Sequence, residues 1–329
     1  METQIMHRLR GRKRQEWEAL LRRCGLEPDE NWDRTILLLD GEELAAAGSR
    51  LGNLLKCIAV DQAHQGDGLA ATLLTALRQD AFGEGLDHLF LYTKPGNEFL
   101  FSTLFFHPVA RTDRVVLMEN RKDGVLQFLS TLPACPTGGS VGALVMNCDP
   151  FTLGHRHLVE TAARECGQVY VFVLSEDRGH FRAGDRLELV RRGTADLPNV
   201  TVLPTGPYLI SAATFPTYFL KDRDAAGEVQ CQLDIEIFLK YYVPHFGITR
   251  RYVGTEPLSP MTNRYNEALR QHLPLHGVEL REIPRLCRDG VPISASAVRA
   301  LAAEQNFDAL RALVPETTLE FLQKQEVIL

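Results

Sequence analysis

At 329 residues the chain is too long for one ordinary hydrophobic core and suits two domains. Thirty-six Lys and Arg stand against 42 Asp and Glu, a formal net charge of −6, with 45% hydrophobic and 24% charged residues. That composition is globular rather than disordered, and its acidity argues against non-specific nucleic-acid binding. No apolar run approaches the roughly 18–20 residues that span a bilayer, and the basic start from Met1 to Arg14 has no apolar stretch behind it. Neither a membrane partner nor a secretory signal is therefore expected. The seven cysteines are scattered, without C-x-x-C spacing. They read as buried thiols of a reducing cytoplasm, not as a zinc, redox or disulfide framework.

Residues 1–24 hold seven Lys and Arg against three Glu. Trp17, Leu20 and Leu21 recur at helical spacing, which predicts an amphipathic helix with a basic outer face, either solvated or docked on an acidic partner. Ile36 to Leu39, Leu54 to Val60, Leu86 to Leu91 and Val115 to Glu119 read as strands, and Leu69 to Phe82 as a helix. Together they predict a smaller α+β unit over residues 1–132. After its second strand, Gln65, Gly66, Asp67, Gly68 and Ala70 open that helix. Glycines there clear side chains from an approaching ligand, and the helix start offers N–H groups to an anion.

Leu132 to Ser140 holds two prolines and two glycines, which cannot continue a helix or an inner strand. The chain is therefore expected to divide at a linker over 133–140, with a second domain over 141–329. There, Val141 to Met146, Val169 to Leu174, Val200 to Leu203, Arg251 to Gly254 and Val278 to Ile283 read as strands, with a helix over His155 to Cys166 after the first. Such alternation predicts an α/β domain with a doubly wound parallel sheet, whose ligands bind beyond the carboxyl ends of the strands.

The chemistry concentrates at two places in that domain. Asn147 follows the first strand, Asp149-Pro150 forces a turn, and Thr152 and His155 then flank Gly154 at the helix start, a suitable seat for nucleotide phosphates. Near the far end, Ser294 or Ser296 is placed to cap a helix over Val298 to Glu304, with Arg299 one turn in to grip phosphate oxygens. Gly254 and Glu256 end the fourth strand, where glycine permits close approach of a nucleotide. Arg186 either supports the substrate side or, the favoured reading, is a helix-face arginine paired with Asp or Glu. One carboxylate of Ser175-Glu176-Asp177 is a candidate metal ligand, and Lys221 either reaches an acidic substrate or ends a helix.

These residues carry three resemblances. Thr152-x-Gly154-His155 resembles the T/H-x-G-H signature of the nucleotidyltransferase superfamily, and Ile293 to Arg299 resembles the I-S-S-T-x-V-R segment of pantetheine-phosphate adenylyltransferases. Gly184 to Val190 and Leu197 to Val202 are similar to the same enzymes. Gln65 to Ala70 fits the Q/R-x-x-G-x-G/A pattern of the GNAT fold, which cradles coenzyme A pyrophosphate. Leu104-Phe105-Phe106 replaces the Leu-Gly-Phe often found there, and no general base for an amine is in place. A CoA-like arm bound without acetyl transfer is the resulting expectation for that half.

Longer stretches, among them Lys56 to Val60, Tyr92 to Pro95, Ala212 to Pro216, Arg251 to Gly254 and Pro292 to Arg299, resemble the citrate lyase ligase family over nearly the whole chain. Asp149 stands where Asn is expected in many relatives, and Thr255 where Glu is expected. The resemblance implies a cytoplasmic enzyme using ATP and Mg²⁺. It would activate acetate as acetyl-AMP and load it onto the thiol of the dephospho-CoA-derived prosthetic group on the acyl carrier protein of the citrate lyase complex. It implies catalytic roles for His155, Thr152 and Arg299, ATP binding by Asn147, Gly154, Gly254, Glu256, Ser294 and Ser296, and arm binding by Gln65, Gly66, Asp67, Gly68 and Ala70. Metal ligands are not identified. Two alternatives stay open: an adenylyltransferase acting on a small phosphopantetheine-like or acid substrate without a carrier thiol, and a non-catalytic nucleotide- or CoA-sensing regulator. The intact Thr152, His155 and Arg299 count against the regulator.

Overall fold

A computed structural model describes residues 1–29, 31–134, 139–177, 179–209, 224–256 and 260–325. Lys221, the 212–216 stretch and the middle of the proline- and glycine-rich segment lie outside the described residues. The chain groups into two units, Met1–Val125 with Phe215–Leu233, and Leu126–Thr214 with Asp234–Leu329. The contact boundary at Val125 falls ahead of the 133–140 stretch.

The first unit is built on a seven-stranded sheet. Its elements are β1 (Glu2–Met6), α1 (Gly11–Arg23), β2 (Arg34–Asp40), β3 (Glu43–Leu51), β4 (Leu54–Val60), α2 (Leu69–Gly83), β5 (Phe90–Thr93), α3 (Glu98–Thr103), β6 (His107–Arg111) and β7 (Val116–Glu119), followed by α4 (Gly124–Ser130). Strand order is β1-β2-β3-β4-β5-β7-β6. Every neighbouring pair is antiparallel except β4 and β5, which the α2 crossover makes parallel. Leu73, Leu74 and Leu77 of α2 bury against Ile36, Leu38, Leu55 and Leu91, forming the core of this unit.

The basic start is not one helix. Residues 2–6 form an edge strand on β2, and the helix begins at Gly11. Trp17, Leu20 and Leu21 are buried as the spacing predicts, and the charged face stays net basic, with Arg12 paired to Glu16 and Arg14 and Arg22 sharing Glu18. The strand predicted from Leu86 starts only at Phe90.

One detail of this sheet makes a cavity. Strands β4 and β5 pair only at Leu54↔Phe90 and Leu55↔Leu91. Cys57 then takes a left-handed φ of 53°, and the register of β4 against β3 shifts beside it. The two strands part, leaving a cavity of about 910 Å³ between Ile58–Asp61 and Tyr92–Lys94.

The second unit contains the predicted doubly wound sheet. Its strands are β8 (Val141–Met146), β9 (Gln168–Val173), β10 (Val200–Pro204), β11 (Arg250–Gly254) and β12 (Glu279–Ile283), all parallel, in the order β10-β9-β8-β11-β12. Helices α5 (Leu153–Glu165), α6 (Ala183–Gly193), α8 (Val243–Phe246) and α9 (Pro260–His272) connect them, and α7 (Asp224–Ile237), which begins in the segment grouped with the first unit, ends here. A short hairpin, β13 (Cys287–Arg288) with β14 (Val291–Pro292), leads into α10 (Ala295–Ala303), α11 (Phe307–Leu310) and α12 (Glu316–Gln325). β8 and β9 are near-continuous apolar runs because both faces of a parallel sheet are covered. The order reverses between β8 and β11, and a crevice opens at the carboxyl ends there.

Candidate active site

A cleft of about 570 Å³ occupies that crevice. Asn147, Thr152, Gly154, His155, Gly254, Glu256, Ser294, Ser296 and Arg299 all line it, so the fold brings two segments about 140 residues apart onto one surface.

Thr152 is the N-cap of α5, with extended backbone and a hydroxyl that accepts from the His155 N–H at 3.3 Å. In return His155 Nδ1 accepts from the Thr152 backbone N–H at 3.1 Å, closing a capping box. A backbone N–H can only donate, so Nδ1 carries no proton and the neutral imidazole holds its hydrogen on Nε2. Burial, with the Arg285 cation adding to it, pushes the His155 pKa down to about 4. His155 is therefore a neutral donor at pH 7, not a cation. Thr152 positions it.

Arg299 approaches from the other segment. Its Nη1 donates to the Asp149 carbonyl at 2.6 Å and lies 3.7 Å from the Asp149 carboxylate. Burial opposes charge on Asp149, but hydrogen bonds from the His180 backbone, the His180 ring and the Phe181 backbone at 3.0–3.1 Å, with Arg299 nearby, hold its carboxyl below the usual range. An Asn here would offer one acceptor oxygen where the structure uses two. Gly154 serves a second close approach: a Cβ there would lie 3.3 Å from the Ile293 carbonyl. The backbone that passes close to this glycine thus belongs to the second segment. A Cβ on Gly254 would meet nothing within 4 Å, so the end of β11 stays open.

Ser294, not Ser296, caps α10. Its Oγ accepts from the Ala297 N–H at 3.2 Å, and the helix starts at Ala295, three residues earlier than the sequence suggests. The Glu256 side chain is buried and tied to Arg285, which also donates to the Thr255 carbonyl at 3.0 Å. Asn147 is held by Arg186. Among the described residues that arginine pairs with no Asp or Glu: it is fully buried and donates to the Asn147 side chain and to the carbonyls of Asn147, Glu176 and Phe181. It locks the strand end to the 176–181 loop.

Two cleft arginines, Arg285 and Arg251, were not singled out by sequence. Arg285 follows the end of β12, so the rule that ligands lie beyond strand ends was the available signal. Arg251 sits inside β11 and gave none. No group of three or more His, Cys, Asp or Glu suited to a metal ion exists among the described residues. The carboxylates of Asp149 and Glu256 are already committed. Among the described residues there is thus no preformed cage for Mg²⁺, an ion that commonly binds through phosphates and water.

In the first unit, Gln65, Gly66, Gly68 and Ala70 line the cavity between β4 and β5, and Asp67 does not. Gly68 opens α2 in the left-handed region with φ 76°, and Gly66 has φ 99°. Burial and Asp61 keep the nearby Cys24 thiol protonated.

Comparison with known proteins matches this division. Residues 141–322 fit the family described as citrate lyase ligase C-terminal domain, and residues 5–100 the acetyltransferase (GNAT) family. Over 318 residues the chain is 41% identical to the citrate (pro-3S)-lyase ligase of Klebsiella pneumoniae, covering 95% of this chain and 93% of that protein. Against the protein of that name in Escherichia coli (strain K12) it is 38% identical over 323 residues, 96% and 92% of the two chains. A shorter stretch of 67 residues, 20% of this chain, is 40% identical to 41% of a phosphopantetheine adenylyltransferase of Symbiobacterium thermophilum. No helix among the described residues is long and apolar enough to cross a membrane.

Proposed function

The chain belongs to the citrate lyase ligase family, and from that premise and the geometry of the cleft we propose that it is an ATP-dependent acid–thiol ligase of the cytoplasm. It activates acetate as acetyl-AMP, releasing pyrophosphate, and passes the acetyl group to the thiol of the dephospho-CoA-derived arm on the acyl carrier protein of citrate lyase. The observation that carries this reading is the convergence of His155 and Arg299 on one cleft at the switch point, beside the amino ends of α5 and α10.

In the first step a carboxylate oxygen of acetate attacks the α-phosphorus of ATP. The new C–O–P linkage forms as the bond to the β-phosphate oxygen breaks, and pyrophosphate leaves with the electron pair. Two anions must meet, so the site's task is to offset charge. His155 donates from Nε2 to a phosphate oxygen and moves no proton. Arg299, steadied by Asp149, and Arg285, steadied by Glu256, supply positive charge. Ser294 caps α10, and Asn147, Gly154, Gly254 and Ser296 complete the nucleotide surface. Mg²⁺ supplies further charge neutralisation when it accompanies the triphosphate. In the second step a thiolate attacks the acyl carbon and expels AMP. The cavity of the first unit, with Gln65, Gly66, Gly68 and Ala70 at its wall, suits the CoA-like arm that bears the thiol.

The short match to a phosphopantetheine adenylyltransferase favours one other reading, transfer of AMP to a small product without a carrier. Incubation with ATP, labelled acetate and deacetylated carrier separates them. Ligase activity gives AMP, pyrophosphate and label on the carrier. Label that never reaches the carrier, with a stable adenylylated product, refutes it.

A further inference from the structure

Three arginines of the chain are almost wholly buried among the described residues: Arg50, Arg186 and Arg251. Arg50 has the carboxylates of Asp80 and Glu84 at 2.7 Å, and Arg186 donates to carbonyls and to Asn147. Arg251 differs. Its Nε and Nη1 are buried without a hydrogen-bond partner. Its guanidinium carbon lies 4.8 Å from the centroid of the Phe238 ring, the Tyr265 hydroxyl that donates to Asp234 at 2.6 Å is also a hydrogen-bonding neighbour of the guanidinium, and Asp234 acts on it through charge. A guanidinium has five N–H donors and cannot be neutralised by losing a proton. Leaving donors buried and unpartnered is unfavourable, and the penalty is removed when an anion arrives.

Arg251 is one of the residues lining the cleft that holds His155 and Arg299, so an anion bound there lies beside its buried side chain. Its place sorts the candidate anions. The phosphate donors stand at the strand ends and helix starts. Arg251 stands three residues before Gly254 at the end of β11, about 10 Å down the strand. Its side also alternates with that of Tyr252, which packs against Cys166 and Glu165 of the α5 region. Arg251 therefore serves the opposite face of the sheet from α5, a separate wall of the same cleft, floored by an aromatic ring.

We propose that Arg251 is the anchor for the carboxylate of the acid substrate. One carboxylate oxygen accepts from its guanidinium while the other is directed toward the α-phosphorus, and the short alkyl end lies toward Phe238. This rests on the acid-activation reading above and names the residue that selects its second substrate.

The test compares acetate-dependent ATP–pyrophosphate exchange and ATP binding by calorimetry in the full-length protein and in Arg251→Met and Arg251→Lys. Methionine fills the buried volume without charge, and lysine keeps the charge but loses the planar fork. The expected result is an acetate KM raised at least 30-fold in Arg251→Met and about tenfold in Arg251→Lys, with ATP affinity within threefold of wild type. An acetate KM within threefold of wild type overturns the assignment. A parallel loss of ATP affinity also overturns it and moves Arg251 to the phosphates. If Arg251→Met fails to fold, Arg251→Lys decides on the same criteria. A wild-type protein that binds ATP but shows no acetate-dependent exchange refutes acid activation itself and, with it, this anchor.

Discussion

Arg299 donates from Nη1 to the backbone carbonyl of Asp149 at 2.6 Å, joining residues 150 positions apart. The bond pins the second segment to the turn that precedes α5. It also spends one donor of the guanidinium on structure, leaving the rest of the fork for a phosphate. Lysine, a point charge on a flexible stem, cannot hold the carbonyl and a phosphate in one fixed geometry. Arg299→Lys is expected to lose 10- to 100-fold in pyrophosphate exchange. Exchange within threefold of wild type would show that charge alone suffices.

Gly154 and the Ile293 carbonyl make the second tie. At the second position of α5, alanine ordinarily stabilises a helix over glycine by roughly 0.5–1 kcal/mol. Here its Cβ would meet a backbone oxygen at 3.3 Å, closer than most contacts of that kind, and a carbonyl cannot swing aside as a side-chain tip can. The two effects nearly offset in stability, but the displacement falls on the wall of the cleft. Gly154→Ala should keep its Tm within a few degrees while kcat/KM for ATP drops at least tenfold, as small misplacements of a catalytic constellation do. Thermal melts paired with exchange kinetics check this, and unchanged kinetics would refute it.

The protonation of His155 has a measurable sign. Its folded pKa, pushed down to about 4, lies below the ordinary 6.5. The unfolded chain therefore binds more protons between those values. The stability this group contributes is whole above pH 6.5 and is lost as pH falls toward 4. In NMR spectra of the free protein its ring should remain a neutral Nε2–H tautomer at pH 6. Titration near 6.5, or a proton on Nδ1, would contradict the capping-box geometry.

The two cavities are expected to separate the two steps. Gly68 has a left-handed φ of 76°, which aspartate tolerates better than most side chains, and its Cβ would meet nothing within 4 Å. Gly68→Asp thus sets a carboxylate at the amino end of α2 with little strain, where a phosphate-bearing arm would be repelled. The KM for the acyl carrier should rise about tenfold or more, with acetate-dependent exchange unchanged. A carrier KM equal to wild type would remove the first unit from arm binding.

How much of this was legible in the sequence depended on whether a residue acts through local pattern or through distant neighbours. β4 and β8 were read to the residue, because an apolar run bounded by turn residues is a local signal. β1 and β3 were not: one is a polar edge strand, and the other, Ala-rich, has low strand propensity and is held by pairing on both sides. The nine cleft residues proposed to hold the nucleotide were nameable because they sit at a strand end, a helix start and a cap. Asp149 looked like a departure from pattern, and only the fold shows its three donors and Arg299. Arg251 was invisible for the same reason: what matters about it is that two donors of a buried guanidinium, Nε and Nη1, have no partner.

The central claim is that the Nε2–H of His155 stabilises charge developing on the phosphates. Removing one well-aimed donor of that kind costs about 3 kcal/mol, or roughly 10²–10³ in rate. The most direct measurement is acetate-dependent ATP–pyrophosphate exchange in His155→Ala, with folding checked by circular dichroism. The account predicts a loss of at least 10²-fold in a folded protein; exchange within tenfold of wild type would contradict it.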